Sequence, residues 1–295
     1  LMHLGQFAIS GVGLVITEAA AVEARGRITR DCLGLWNDDN EAALDRVIAF
    51  CRQHGGAKLG IQLAHAGRKA STRKPWEGRN SLAEHEGPWE TVSSSANPHT
   101  HGWHTPKSMD AGELATVKQA FVDAALRSER IGFDLIEVHG AHGYLLHEFL
   151  SPVANTRTDA YGGGLENRMR YPLEVFAAMR EVWPESKPMG LRVSTTDWIA
   201  GGWHPEEAVE FARHLKALGC DYICASSGGV SEEQKIELGE GYQVRFAEQI
   251  RRDADMMTMA VGMIYDPHHA ERIVTTGQAD MVALARGLLF DPHWA

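Results

Sequence analysis

A parallel α/β sheet flanked by helices is the fold class this sequence predicts, and three observations carry the expectation. Strand-like runs rich in Val, Ile, Leu and Ala recur seven times along the 295 residues. Amphipathic segments at helical spacing separate most of these runs, giving the strand-then-helix order that a parallel sheet requires. The groups suited to chemistry fall directly after strands, above all in the run DLIEVHGAHGYLLHEFLSPVANTRTDAYGGGLENRMR from Asp134 to Arg170. Parallel α/β architectures place their chemistry at those C-terminal strand ends.

The elements follow in order. LMHLGQFAIS predicts a helix end running into a strand. The first 22 residues are apolar enough to suggest a signal peptide, but they lack a basic leader and include Glu18. Strands are expected over residues 13–22, 58–65, 134–139, 188–194, 221–227, 256–264 and 279–286. Between the first two, Leu44, Val47, Ile48 and Cys51 recur at helical spacing over residues 38–54, and Gly55 and Gly56 end that helix. Asp110 and Glu113 have the spacing of a capping box ahead of Val117, Phe121 and Ala124. Pro205 and Pro267 sit where a first helical residue belongs, the latter after a capping Asp266, and Gly219 and Gly277 follow helix ends.

A closed barrel of this kind has eight strands, and the sequence shows seven. The expectation is a single domain over residues 1–295, a (β/α)8 TIM barrel lacking its first strand and C-terminal tail in this chain. An open seven-stranded sheet is the alternative. Residues 68–109, rich in Trp, His, Ser and Pro, exceed the ~12–15 residues usual for a structureless connection. They predict an ordered cover over the barrel mouth with a hairpin in it. Trp76, Trp89 and Trp103 either pack it onto the mouth or form a small core of its own.

Composition narrows the function. A formal charge of −10 argues against a nucleic-acid partner. No apolar run approaches the ~18 residues that would cross a bilayer. Four scattered cysteines make no disulfide framework, and three residues separate Cys220 from Cys224 where a redox or zinc pair has two. A cytoplasmic protein with no membrane partner is expected.

Alternate residues of a barrel strand face inward. In GIQLAHAG, Gly60, Gln62 and Ala64 point in; in GLRVS, Arg192 does. An inward amide or guanidinium is costly without a partner, so a polar, planar or anionic ligand is expected between them. The alternatives are a satisfied core amide for Gln62 and a buried ion pair with Glu137 for Arg192. Gly262 and the sequence Ala285-Arg286-Gly287 follow the last two strands, where barrels hold a ligand's phosphate. His139, His142 and Tyr144 are three hydrogen-bond donors gathered at one strand end. The histidines could instead ligate a metal with His147, but no carboxylate or second histidine pair stands at matching strand ends. They could also be merely structural.

The segments IQLAHAGRKAS, HGAHGYLLHEFLSPVANTRTDAYGG and ENRMR, continued in AVGMI and LARGLLFDPHWA, resemble the old yellow enzyme family of FMN-dependent ene-reductases. The likeness is strongest to its bacterial branch with the xenobiotic reductases and runs over essentially the whole chain. It implies a barrel holding FMN non-covalently at its mouth, reduced by NADPH or NADH. By the resemblance, Ala19 and Gln62 contact the flavin ring, Arg192 lies by its N1/O2 edge, and Gly262, Ala285 and Arg286 hold the phosphate. His139 and His142 resemble the pair that grips a substrate carbonyl or nitro oxygen, and Tyr144 resembles the proton donor. Gly164 stands where the family usually has a capping Ser before ENR, and Ala285 replaces a common Gly. A homo-oligomer is implied when full length.

The resulting expectation is hydride transfer from a nicotinamide through flavin N5 to the β-carbon of an activated alkene or to a nitro compound. The alternatives are a related flavin barrel acting on enoyl thioesters or amines, and a barrel that only binds FMN.

Overall fold

The computed structural model describes residues 1–295. Helix α1 (Met2–Ala8) leads into strand β1 (Leu14–Ala21), then α2 (Asp38–His54), β2 (Lys58–Ala64), the two-residue strands β3 (Val92–Ser93) and β4 (Lys107–Ser108), and α3 (Ala111–Ile131). There follow β5 (Leu135–Gly140), α4 (Leu145–Leu150), α5 (Leu165–Val182), β6 (Met189–Ser194), α6 (Pro205–Ala217) and β7 (Tyr222–Ser226). The last elements are α7 (Val244–Ala254), β8 (Met257–Val261), α8 (Pro267–Thr275), β9 (Met281–Ala283) and α9 (Arg286–Phe290).

Seven strands form one parallel sheet in the order β1-β2-β5-β6-β7-β8-β9, so each strand pairs with the next along the chain. This is the curled wall of a TIM-type barrel. Strands β1 and β9 are its two edges and do not pair with each other.

The expected signals act where they were read. Asp110 accepts the amide of Glu113, Asp266 accepts the amide of His268, and Pro205 and Pro267 open their helices. Gly164 is the residue ahead of α5. The alternation along strands divides the interior in two. Ile61, Leu63, Ile136, Val138, Leu191 and Val193 face outward into one continuous core with the helices, which contribute Phe121, Val175, Phe176 and Phe211. Truncating one of these phenylalanines to Ala would cost about 3–5 kcal/mol. Leu135, Tyr222, Cys224 and Met259 face the other way into a smaller inner cluster, where the sheet curls on itself.

Two expectations need correction. The strand read over residues 279–286 is only three residues long, Met281–Ala283. Leu289 N donates to Ala285 O at 3.0 Å, so the chain is already turning into α9 where an extended run was expected. Within residues 68–109 the tryptophans do not act as a group. Trp76, at the tip of a hairpin bridged by Thr72 and Ser81, is 80% exposed and has only the Lys74 ammonium near its ring. Trp89 ties the segment to the turn after β1: its Nε1 donates to Arg25 O at 2.9 Å and its ring carries the guanidinium of Arg27. Trp103 stacks edge-on with His99 inside the segment itself. No helix is long and apolar enough to cross a membrane.

Candidate active site

Strand register brings most of the expected residues to one rim. Ala19 pairs with Gln62, Gln62 with Glu137, His139 with Arg192, and Arg192 with Cys224. Ala19, Gln62, His139 and Arg192 therefore lie on four contiguous strands near their C-terminal ends. Farther along, Val261 pairs with Ala283, which sets Gly262 beside the turn that carries Ala285 and Arg286. Ala285 has φ −121°, so the alanine there carries no left-handed strain.

The two histidines are linked. Ala141 N donates to His139 Nδ1 at 3.1 Å, which puts the proton of a neutral ring on Nε2. His139 Nε2 lies 3.3 Å from His142 Nδ1, and His142 Nε2 lies 2.7 Å from Ser226 Oγ. Burial, with the Arg192 cation next in weight, holds both imidazoles well below their ordinary pKa. They are neutral donors, with His142 Nδ1 and Ser226 Oγ placed to accept their protons.

Tyr144 begins where β5 gives way to α4. Its ring stands edge-on to His139 with centroids 5.0 Å apart, and burial pushes its phenol up to about 12. The hydroxyl is therefore protonated through the neutral range, and no group of the protein hydrogen-bonds it.

The loop between His139 and Tyr144 is fixed from below. Gly143 N donates to His147 Nδ1 at 2.8 Å, and His147 Nε2 faces Asp197 Oδ1 at 3.0 Å. The other oxygen of Asp197 accepts from Ser151 Oγ at 2.6 Å and from Trp203 N at 2.7 Å. His147 Nδ1 is thus taken by the Gly143 amide, while its Nε2 lies against the Asp197 carboxylate without a hydrogen bond to it. Gly143 has φ 70°, and a Cβ there would come within 2.3 Å of Gly229 O, so the loops after β5 and β7 can close together only over a glycine.

Glu137, Gln62 and Arg192 settle the two alternatives raised for the inward residues. Gln62 Nε2 donates to Glu137 Oε1 at 2.6 Å, and Tyr222 donates its hydroxyl to Glu137 Oε2 at 3.1 Å. One hydrogen of the Gln62 amide is thereby taken, and the other hydrogen and the oxygen have no side-chain partner. The ion pair between Arg192 and Glu137 does not form: both carboxylate oxygens are taken, and Arg192 Nε is buried with no partner. Burial also raises the Glu137 pKa, which weakens it as a counter-ion.

Several site residues escaped the sequence reading. Lys69 Nζ donates to His142 O and Gly229 O, each at 2.9 Å. Gln243 accepts from Ser227 Oγ at 2.6 Å and donates to Val261 O at 2.8 Å, tying the end of β7 to the end of β8 beside Gly262. Ser194 Oγ receives the amide of His142 at 2.9 Å. Asp197, Ser226 and Ser227 could have been found by the rule that located His139, since each stands at or just past a strand end. Lys69 and Gln243 lie in connecting segments with no periodic pattern to mark them.

Neutral histidines, a protonated tyrosine and an unpaired guanidinium at the C-terminal rim of a parallel barrel wall define an α/β-barrel enzyme. The chain belongs to the NADH:flavin oxidoreductase / NADH oxidase family, whose model matches residues 2–295. This is the family of the old yellow enzymes, and the protein is an FMN-dependent oxidoreductase using NAD(P)H. A NADPH dehydrogenase of Geobacillus sp. (strain WCH70) is 44% identical over 278 residues, covering 94% of this chain and 76% of its own length. A morphinone reductase variant in complex with tetrahydroNAD superposes with a TM-score of 0.77 at 28% identity, over 97% of this chain and 78% of that one. Histamine dehydrogenase from Rhizobium sp. 4-9 superposes with a TM-score of 0.82 at 30% identity over 98% of this chain, which spans only 41% of that longer protein.

Proposed function

We propose that this chain reduces an alkene activated by a carbonyl or nitro group, taking hydride from NADPH or NADH and delivering it to the β-carbon. Four features of the rim fit FMN. Arg192 presents a buried, unpartnered Nε where the flavin's polar edge would lie, and Arg286 is exposed with no carboxylate partner. Gly262 is partly exposed at the end of β8, and Ala19 and Gln62 stand side by side on adjacent strands. Arg192 and Gln62 would hold the ring with Ala19 against it, and Gly262, Ala285 and Arg286 would hold the phosphate. When bound, FMN supplies the two-electron relay between nicotinamide and alkene.

The chain's own residues do the rest. His139 and His142, neutral and donating, bind the activating oxygen and favour the negative charge that develops on it. Tyr144 supplies the proton for the α-carbon. The observation that carries this reading is the Tyr144 phenol: protonated, free of any hydrogen bond, and edge-on to the histidine that would hold the substrate oxygen. A barrel that only bound FMN would need no such acid. Tyr144 also favours reduction over amine oxidation, in which no substrate carbon is protonated. We also place the protein in the cytoplasm, which its four unpaired cysteines support, and in a homo-oligomer, which the exposed Leu289 and Phe290 just after edge strand β9 support.

Titrating the FMN-loaded protein with a phenol tests the site. The phenol should bind as phenolate and give a long-wavelength charge-transfer band, and the pair His139→Ala, His142→Ala should abolish the band while the flavin spectrum persists. Turnover of cyclohexenone or a nitroalkene with NADPH should accompany it. A band that survives the double substitution, or no reduction of any activated alkene, would count against the proposal.

A further inference from the structure

Hydrogen bonds of fixed direction run through the two histidines. The amide of Ala141 can only donate, so at 3.1 Å it takes the lone pair of His139 Nδ1 and leaves that neutral ring's proton on Nε2. His139 Nε2 therefore donates to His142 Nδ1 at 3.3 Å, and the proton of neutral His142 falls on its own Nε2. That nitrogen donates in turn to Ser226 Oγ at 2.7 Å. The Ser226 hydroxyl, buried at the end of β7, has its hydrogen left for Gln243 Oε1 at 3.5 Å. The relay stops there, because Gln243 Nε2 donates to Val261 O at 2.8 Å and its Oε1 already accepts from Ser227 Oγ at 2.6 Å.

This direction does not suit an oxygen placed between the histidines, which would meet the bare lone pair of His142 Nδ1. The opposite direction does. The link from Ser226 to Gln243, at 3.5 Å, is the longest and weakest of the relay, and Gln243 Oε1 keeps Ser227 without it. A hydroxyl accepts and donates alike, so Ser226 can turn its hydrogen from Gln243 onto His142 Nε2. His142 is partly exposed, which lets its ring lose the Nε2 proton to water and gain one from water on Nδ1 with no change of charge. His139 Nε2 and His142 Nδ1, 3.3 Å apart, then both carry hydrogens, and one oxygen can lie at about 2.8 Å from each.

We infer that Ser226 is a positioning residue that sets which nitrogen of His142 carries the proton, accepting from Nε2 in the free protein and donating to Nε2 when a ligand oxygen lies between the histidines. The inference rests on the proposed reading of His139 and His142 as the pair that binds the substrate oxygen. It adds that one of the two donors is made ready only on binding, and that a serine behind the ring makes both states available.

The test uses the FMN-loaded protein with isotope-labelled histidine nitrogens, whose NMR shifts distinguish a protonated ring nitrogen from a bare one. The His142 signals are those missing from His142→Ala. In the free protein His142 should be protonated on Nε2, and saturation with para-chlorophenol should move the proton to Nδ1. Ser226→Ala leaves Nε2 without a partner in either state and should weaken para-chlorophenol about tenfold, whereas Ser226→Thr keeps the hydroxyl and should stay within about threefold of wild type. A proton already on Nδ1 in the free protein, or one still on Nε2 with the phenol bound, would overturn the inference. So would unchanged affinity in Ser226→Ala, or a loss in Ser226→Thr as large as in Ser226→Ala, which would assign the effect to packing. A wild type that binds para-chlorophenol without a charge-transfer band would instead refute the proposed oxygen site, and the spectrum of the free protein would still decide the direction of the relay.

Discussion

The ammonium of Lys69 stands 5.0 Å from the centre of the Tyr144 ring while its hydrogens reach the carbonyls of His142 and Gly229, each at 2.9 Å. One side chain thus clamps the loop after β5 to the loop after β7 and presses on the tyrosine between them. Burial draws the Lys69 pKa down to about 8, so the group is still mainly charged at pH 7. The geometry of the proposed proton donor therefore depends on a residue that need not touch the substrate.

Lys69→Met keeps most of the apolar stem and removes both donors. Two carbonyls then lose a charge-assisted bond, a cost of about 1–3 kcal/mol. Urea unfolding should show that loss, and phenol binding should weaken because the loop bearing His142 loosens. Unchanged stability and phenol affinity together would show the clamp to be dispensable.

The His147–Asp197 pair should behave as a support for the same loop. Asp197 Oδ2 accepts from Ser151 and Trp203, and its Oδ1 faces His147 at 3.0 Å. In Asp197→Asn the new NH2 must point at those donors or at His147, leaving buried groups unmatched at about 2–3 kcal/mol. The expected outcome is a lowered melting temperature and weaker phenol binding with FMN content retained. Loss of FMN at unchanged stability would place Asp197 in the cofactor site instead.

The rim was legible wherever local pattern and barrel geometry agree. His139, Arg192 and Gln62 could be placed because a strand's two-residue period dictates which side chains face inward, and Tyr144 because it follows a strand end. What the sequence could not show was how those groups pair. Whether Arg192 meets Glu137 depends on Gln62 and Tyr222 reaching the carboxylate first, from strands 75 and 85 residues away. Lys69 was hidden for the same reason, since its acceptors lie 73 and 160 residues along the chain. The end of β9 was misjudged because an apolar run of this length suits strand or helix equally.

Stability should depend on pH through Glu148, a wholly buried carboxyl that accepts from Arg68 N at 2.8 Å and Ser93 Oγ at 2.5 Å. Burial raises its pKa to about 7, and Arg68 and the hydrogen bonds pull only partly the other way. A raised carboxyl pKa means the folded state binds the proton more tightly. Its contribution is complete below about pH 4.5 and is lost as pH rises through about 7. Glu148→Gln mimics the protonated form, so its stability relative to wild type should climb across that window by roughly 3 kcal/mol and then level off. The neutral histidines act in the opposite sense, costing stability below about pH 6.5 as their unfolded forms take up protons, but they are common to both proteins. Urea midpoints at several pH values would reveal the trend, and a difference independent of pH would mean that Glu148 is ionised in the folded protein throughout.

Tyr144→Phe separates the two half-reactions. Hydride transfer from a dihydronicotinamide to the flavin requires no proton at a substrate carbon. Reduction of an enone leaves an enolate-like α-carbon that must be protonated, and we assign that step to the Tyr144 phenol, which has no other hydrogen bond. With a pKa pushed up to about 12 by burial it stays protonated until the enolate forms, and that enolate is basic enough to take the proton. Removing the hydroxyl should leave flavin reduction nearly unchanged and slow reoxidation by cyclohexenone roughly 10²–10⁴-fold, the usual worth of a general acid. A nitroalkene should suffer less, because its nitronate is stable enough to leave the site and be protonated in water. The ring remains in Phe, so its edge-on contact with His139 and the cation of Lys69 above it are preserved and the loss can be assigned to the proton. Stopped-flow traces of the two half-reactions decide the matter: equal slowing of both, or of neither, would leave Tyr144 as a packed aromatic beneath Lys69 with no part in proton transfer.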